Sequence, residues 1–466
     1  MRLVVIGNGM AGSRLVGEVR ARDKDTRVTV FGAETWQPYN RVLLSNVLAG
    51  SSGPDQVRLL DPSWYGEHDV EAHLGARVAR IDRDSRTVVC EDGRRTPYDV
   101  LVLATGSQAI VPPIPGVERA VPFRTLDDCQ AILAASRTSA RAVVIGGGLL
   151  GIEAARGLAG RGLPVTLLHL AGHLMERQLD AEAGLVLGET LAGLGVEIRT
   201  GVSAAEILPE GVRLADGSLA EGDLVVLACG VRPETELAEQ AGLRVRRGVV
   251  VDDELRTNDP AVFAIGECAE HDGVVYGLVA PAWEQASVVA DVITGAAKDA
   301  RYRGSRLVTR LKAKSVELAA MGETHLTEEH AEVVRFSHRA KGTYRKLVIR
   351  DGRLVGAILL GDSAAVGTLT QLYDRGGPLP GDRAGLLFPG LSGAAVADSP
   401  VRMPDSAKVC QCNNVTKGQI RACWESGARD VTAVAAATRA TTGCGTCRDA
   451  VEGIVGWLCE QEGVSA

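Results

Sequence analysis

The chain has 466 residues, 45% of them hydrophobic and 23% charged, with a formal net charge of −7. That length exceeds a single hydrophobic core and predicts three or four domains, and the ordinary balance of apolar and charged residues excludes a disordered or fibrous protein. The acidic balance, without any run of Lys or Arg, argues against a nucleic-acid surface.

Arg2-Leu-Val-Val-Ile6 predicts a short buried strand that opens into Gly7-Asn-Gly9-Met10-Ala11-Gly12, a helix through Val19 and a strand Val28–Phe31. This is a βαβ unit with G-x-G-x-x-G in the required place. Gly7 makes the tight turn, Gly9 lets backbone approach a pyrophosphate, and Gly12 lets helix pack on strand. The phosphates would sit on the helix N-terminus. Glu34, the first carboxylate after the second strand, is the expected ribose ligand. No cysteine lies in this region, so a flavin-adjacent C-x₄-C redox disulfide is excluded. The stretch through Val78 to Ile81 and Thr87–Cys90 predict strands around a hairpin turn at Asp92-Gly93. Asp99 to Ala104 predicts a buried strand closing on Ala104-Thr105-Gly106, and the Pro-rich Val111–Gly116 marks a crossover.

The same unit then recurs. Ala142–Ile145 leads into Gly146-Gly-Gly148-Leu149-Leu150-Gly151, a helix to about Ala159 and a strand Val165–Leu168. A hairpin turn at Ala215-Asp216-Gly217 and a buried strand from Asp223 to Gly230 complete the copy. Chance poorly explains two copies of one pattern, so two dinucleotide sites, or one and a relic, are expected. Ala261 to Cys268 predicts a strand that delivers Glu267 after Gly266, where a carboxylate can hold a polyol hydroxyl, and a helix follows from Trp283 to Thr294. Tyr344–Arg350 and Arg353–Leu360 flank the turn Asp351-Gly352 and predict a hairpin of a small β-rich domain. Gly376–Gly381 and Gly390–Ala397 read as linker.

Cys410-Gln-Cys412 and Cys444-Gly-Thr-Cys447 supply four closely paired thiols that converge most simply on one metal centre, either zinc or an iron–sulfur cluster. Cys90, Cys129, Cys229, Cys268, Cys423 and Cys459 are expected as buried small apolar residues. No apolar stretch approaches ~18 residues, and the opening MRLVVIGNG enters a strand without a charged leader. A cytoplasmic protein without membrane spans, its thiols reduced or committed to metal, is the expectation.

Together, the two glycine units, Ala104-Thr105-Gly106, Gly230-Val-Arg-Pro233 and Gly266-Glu267 make the chain resemble the two-dinucleotide flavoprotein reductases. It is similar in particular to the N-terminal part of the NAD(P)H-dependent nitrite reductase large subunit family. The resemblance runs through Pro38–Ser45, Leu174–Asp180, Gly266–Ala269, Tyr276–Pro281, Gly356–Asp362 and the cysteine region. It implies an α/β fold with two Rossmann-like dinucleotide-binding domains, a small β-rich domain and a small helical C-terminal [2Fe-2S] module like bacterioferritin-associated ferredoxin. The expected boundaries are 1–115 with 251–300 for FAD, 116–250 for NAD(P)H, 301–380 for a small α+β interface domain, 381–406 for a linker and 407–466 for the module.

Carried over residue by residue, the resemblance implies FAD contacts at Gly7, Gly9, Met10, Ala11, Gly12, Glu34, Arg41, Val78, Ala104, Thr105, Gly106, Gly266 and Glu267. Arg41, Ser45 and Trp283 would lie near the isoalloxazine ring, although Trp283 also reads as an ordinary core aromatic. NAD(P)H contacts are implied at Gly146, Gly148, Leu149, Leu150, Gly151, Glu153, His169, Arg177 and Gly230. Cys410, Cys412, Cys444 and Cys447 would hold the cluster, because a C-x-C pair far ahead of a C-x₂-C pair matches the [2Fe-2S] module better than zinc.

Three departures qualify the match. His169 stands at the strand end where an NADH site often has an acid, with Arg177 close by; the resemblance leans to NADH. Asn46 stands where related ferredoxin reductases carry a lysine. The C-x₅-C and C-x₃-C pairs of the sirohaem and [4Fe–4S] region have no counterpart in this sequence. The implied activity is therefore electron delivery. On that implication hydride would pass from NAD(P)H to FAD, and single electrons would then pass through the cluster to a separate assimilatory nitrate or nitrite reductase catalytic protein. A ferredoxin-reductase-type donor to an oxygenase or other acceptor, and a non-enzymatic iron or redox sensor, are the alternatives. A homodimer stands among the expected assembly states.

Overall fold

The computed structural model describes residues 1–313, 316–361, 365–388, 403–410, 413, 415–441 and 447–462. The chain divides into two compact units. One joins Met1–Arg41, Gly53–Ala109 and Val231–Ser305; the other joins Val42–Ser52, Ile110–Gly230 and the described residues from Arg306 onward.

In the first unit a five-stranded parallel sheet runs in the order Val262–Ala264, Val100–Leu103, Arg2–Ile6, Arg27–Gly32, Val70–Leu74. Strands covered on both faces need continuous apolar runs rather than alternation, and Leu3, Val5, Leu101, Val102 and Val262 are indeed without exposure. Helix Met10–Arg22 packs along helix Val279–Thr294, burying Leu15, Val16 and Val19 on one and Ala286, Val289 and Ala290 on the other. The second helix starts a turn earlier than expected, because Pro281 falls in its first turn, where a missing N–H costs nothing. Val78–Asp82, Thr87–Cys90 and Arg95–Pro97 form a three-stranded antiparallel sheet. Asp92-Gly93 turns only the second of its hairpins. The first turns at 83–86, where Asp82 accepts the Ser85 N–H at 3.0 Å and Arg86 adopts φ +46°.

The second unit repeats the parallel sheet, in the order Val196–Thr200, Val165–His169, Ala142–Ile145, Leu224–Leu227, Val121–Pro122. The short helix Leu44–Ala49, taken from the first half of the sequence, packs on helix Leu149–Ala159 of this unit. A five-stranded antiparallel sheet follows in the order Val308–Ala313, Val316–Gly322, Arg353–Leu360, Thr343–Arg350, Glu332–His338. Helices Val366–Arg375 and Arg383–Leu387 close its core around Leu347, Leu359, Leu369 and Leu387. At the C-terminus a small ribbon, Lys408–Cys410 with Val415–Thr416, joins helices Lys417–Glu425, Val431–Thr438 and Arg448–Glu462 around Ile420, Trp424, Val434, Val451 and Ile454. No helix among the described residues is long and apolar enough to cross a membrane.

One charged pair fastens the antiparallel sheet to the parallel one. Lys346, 4% exposed, donates from Nζ to Asp180 Oδ2 and to the Thr324 carbonyl, each at 2.9 Å, and Tyr344 Oη donates to the same carboxylate at 2.8 Å. Asp180 also caps helix Ala181–Gly193 through the Ala183 N–H. Burial would raise the Asp180 value, but these donors hold it below the usual carboxylate range. Removing one member of such a pair strands the other charge. Lys346→Met is therefore expected to cost about 3–5 kcal/mol, read as a lowered denaturation midpoint, and the double change with Asp180→Asn should recover part of that loss.

Candidate functional site

The first cradle forms where three strands end together. Gly7, at φ +112°, brings its Cα so close to Ala104 that an added Cβ would lie 2.1 Å from the Ala104 oxygen. A Cβ on Gly12 would lie 1.9 Å from the Gly7 oxygen, whereas one on Gly9 would meet nothing within 4 Å. The loop is thus closed on its protein side and open above Gly9. There the N–H groups of the first turn of Met10–Arg22 have no side-chain cap. Asn8 Nδ2 and Gln37 Oε1 are buried in the same unit without partners. This arrangement fits a bound pyrophosphate and its attached groups.

Around that opening the structure gathers most of the expected flavin residues. Glu34 lies just beyond strand Arg27–Gly32, accepting Tyr39 Oη at 2.7 Å and pairing with Arg41. Glu267 accepts from Ser107 Oγ at 2.6 Å in the single turn Gly266–Cys268, whose Gly266 backbone abuts Ala11. Thr105 and Gly106 follow strand Val100–Leu103, with Thr105 Oγ1 bonded to the Glu234 carbonyl at 2.8 Å. Met10 is buried in the first helical turn, and Val78 is buried at the start of its strand. Trp283 is 5% exposed and donates Nε1–H to the Met10 carbonyl at 3.0 Å, with the Arg14 guanidinium over its ring. Its indole therefore supports the cradle's first turn.

The second cradle repeats these contacts. A Cβ on Gly146 (φ +119°) would lie 2.2 Å from the Ala228 oxygen, one on Gly151 would lie 1.8 Å from the Gly146 oxygen, and one on Gly148 would meet nothing within 4 Å. Leu149, Leu150 and Glu153 occupy the first turns of helix Leu149–Ala159, and Gly230 takes φ +95° beyond strand Leu224–Leu227. His169 ends strand Val165–His169, and Arg177 is exposed on the loop that follows.

The structure also makes pairs that sequence reasoning left apart. Ser45 hydrogen-bonds the Glu153 carboxyl, which is only partly open to solvent. Desolvation pushes that carboxyl up to about 8, against the smaller lowering effect of the Ser45 hydroxyl. More than a hundred residues separate the two, and no local pattern announces their meeting. His169 is likewise joined to Glu176, with Nε2 3.0 Å from Oε2.

At the C-terminus Cys410 and Cys447 are buried in one core, at 0% and 5% exposure. Cys447 immediately precedes helix Arg448–Glu462, and its Sγ accepts the Thr441 N–H at 3.2 Å. An N–H donor and a helix N-terminus both favour a thiolate, so this sulfur suits a metal ligand. Cys412 and Cys444 lie outside the described residues. Of the six cysteines expected in cores, Cys90, Cys129, Cys268 and Cys459 are buried. Cys229 and Cys423 are only half-buried: Cys229 follows the open end of strand Leu224–Leu227, and Cys423 lies on a helix whose buried positions are Lys417, Ile420 and Trp424.

A doubled glycine cradle on two parallel sheets, followed by an antiparallel sheet and a small cysteine-bearing module, defines a two-dinucleotide flavoprotein reductase with an added metal module. The chain belongs to the pyridine nucleotide-disulphide oxidoreductase family, whose model matches residues 1–287. Residues 308–376 match the rubredoxin NAD+ reductase C-terminal domain, and residues 408–457 match the BFD-like [2Fe-2S] binding domain. FAD, NAD(P)H and a [2Fe-2S] cluster are the cofactors these families imply.

Among curated relatives, the NAD(P)H nitrite reductase of Bacillus subtilis is 40% identical over 97% of this chain and 57% of its own length. The assimilatory nitrate reductase electron transfer subunit of the same organism is 36% identical over 99% of this chain and 60% of its own. The chain therefore spans a little over half the length of these relatives. A solved covalent putidaredoxin reductase–putidaredoxin complex matches with a TM-score of 0.76 and 26% identity, covering 83% of this chain and 98% of the matched one.

Two outcomes follow from the cradles and from Glu153. Gly12→Ala forces a methyl group onto the Gly7 carbonyl and should lower the melting temperature. Gly9→Ala should leave the melting temperature of the flavin-free chain unchanged while weakening FAD retention about tenfold, or ~1.4 kcal/mol, measured by fluorescence titration of released flavin. Glu153 binds its extra proton in the folded state between its ordinary value of 4.5 and about 8, so its contribution to stability falls as pH rises through that window. Melting temperatures between pH 6 and 8.5 should therefore decline less in Glu153→Gln than in the parent.

Proposed function

We propose that this chain is an NAD(P)H-dependent FAD and [2Fe-2S] oxidoreductase that delivers electrons to a separate assimilatory nitrate or nitrite reductase catalytic protein. The observation that carries the reading is the coexistence of two open glycine cradles with a module that buries Cys410 and Cys447 in one core. When bound, NAD(P)H supplies a hydride, FAD accepts the pair and releases single electrons, and the cluster takes them one at a time. The chain's own residues bind and orient. Gly7, Gly9 and Gly12, with Glu34 and Glu267 for hydroxyl groups, would hold FAD. Gly146, Gly148 and Gly151 would hold the nicotinamide dinucleotide, and Cys410, Cys412, Cys444 and Cys447 would hold the iron. Near neutrality Glu153 keeps its proton to a large extent, presenting a neutral acid beside Ser45 rather than a buried charge. The boundaries of the FAD, NAD(P)H, interface and cluster domains, and a cytoplasmic setting where NAD(P)H and reduced thiols coexist, belong to the same reading.

The curated relative named as an electron transfer subunit supports the partner class. The structural likeness to a reductase solved in covalent complex with putidaredoxin favours a second reading, in which the acceptor is a separate ferredoxin-type carrier. NADH oxidation by the purified chain, measured against nitrate and nitrite reductase catalytic subunits and against an oxygenase-type ferredoxin, separates the two. Anaerobic protein treated with NADH should show bleached flavin absorbance and a rhombic [2Fe-2S] EPR signal; zinc in place of iron would sink the cluster assignment. Cys447→Ser should lose the EPR signal and reduction of the one-electron protein acceptor, while NADH still bleaches the flavin.

A further inference from the structure

Resting on the dinucleotide reading of the second cradle, we propose that Glu176 selects NADH over NADPH and that His169 is the positioning residue that holds it for that task. In a βαβ site the adenosine ribose lies off the end of the second strand, where a carboxylate accepts the hydroxyls of NADH and repels the 2′-phosphate of NADPH. Here that strand, Val165–His169, ends in an imidazole. The ring is fixed on both sides. Gly147 N–H donates to His169 Nδ1 at 3.0 Å, so Nδ1 carries no proton and the neutral ring bears its hydrogen on Nε2. That hydrogen points at Glu176 Oε2, 3.0 Å away. His169 is buried while the Glu176 side chain keeps 39% of its surface, so its carboxylate remains open toward a ligand. The acid absent from the strand thus returns from the following loop.

The loop is built to keep it there. Met175, at φ +52° and without exposure, donates its N–H to the Gly147 carbonyl at 3.0 Å, and Leu174 is equally buried. A Cβ on Gly147 would lie 2.6 Å from both the His169 ring and Leu174, which explains the extra glycine between Gly146 and Gly148. The middle residue of the phosphate loop therefore receives His169 and Met175 together, and Glu176 is tied to the dinucleotide cradle itself. Arg177 next to it is a cation able to favour a 2′-phosphate of roughly two negative charges.

Calorimetric titration of the flavin-loaded full chain with NAD+ and with NADP+ tests this. The parent should bind NAD+ at least about tenfold more tightly, ~1.4 kcal/mol. Glu176→Gln should narrow that ratio about tenfold, mainly through tighter NADP+ binding. His169→Leu should narrow it likewise, and His169→Gln, which keeps both an acceptor and a donor, should restore it. Retained flavin absorbance in each variant excludes a folding defect. Equal or tighter NADP+ binding by the parent, or an unchanged ratio in Glu176→Gln, overturns the proposal. So does a parent preference for NADP+ that Arg177→Ala removes. Failure of the parent to bind either nucleotide overturns the dinucleotide reading itself.

Discussion

The structure depends on a steric constraint met twice: backbone must pass over backbone with no room for a methyl group between. At Gly12 over Gly7, and again at Gly151 over Gly146, the helix that follows the first strand sits on the carbonyl of the loop beneath it. That approach lets the helix begin at the carboxyl end of the central strand, with its uncapped N–H groups beside the opening above Gly9 or Gly148. Glycine is entropically costly to order, and the fully buried strands beside each loop offset that cost by hydrophobic burial.

Because the constraint acts within six residues of sequence, it was legible before any coordinates. So were the inner parallel strands, whose burial on both faces demands unbroken apolar runs, and the turn at Asp351-Gly352, where Asp351 adopts φ +52°. The edge strands Val70–Leu74, Val196–Thr200 and Val121–Pro122 were not, the first two because they are half-exposed and interrupted by charged residues. The pairings that tune the sites were not legible. Ser45 with Glu153, Lys346 with Asp180, and the membership of Val42–Ser52 in the second unit all join distant parts of the chain. His169 with Glu176 is closer in sequence, yet it also escaped notice, because a residue seven positions beyond the strand has no fixed place until the loop folds back on Gly147.

The cysteine module shows the opposite balance. Its cysteine spacing was readable as a metal centre, while the choice of metal came only with the likeness to a known module. The structure adds the surroundings of two of the four sulfurs: a common apolar core for Cys410 and Cys447, and a backbone donor from Thr441. Trp283, expected either near the flavin ring or as a core aromatic, donates its indole N–H to the Met10 carbonyl and so braces the turn that carries the cradle.

Asp180 links features otherwise described separately. The loop from Leu170 to Asp180 is pinned at one end to Gly147 through His169 and Met175, and at the other to the antiparallel sheet through Lys346 and Tyr344. A single short loop therefore reports to both the nucleotide cradle and the sheet behind it. In evolutionary terms the two are poor candidates for independent shuffling. A lineage that exchanged the sheet without its matching lysine and tyrosine would also lose one anchor of the loop that packs on Gly147, so the cradle, the loop and the sheet are inherited most safely as one piece.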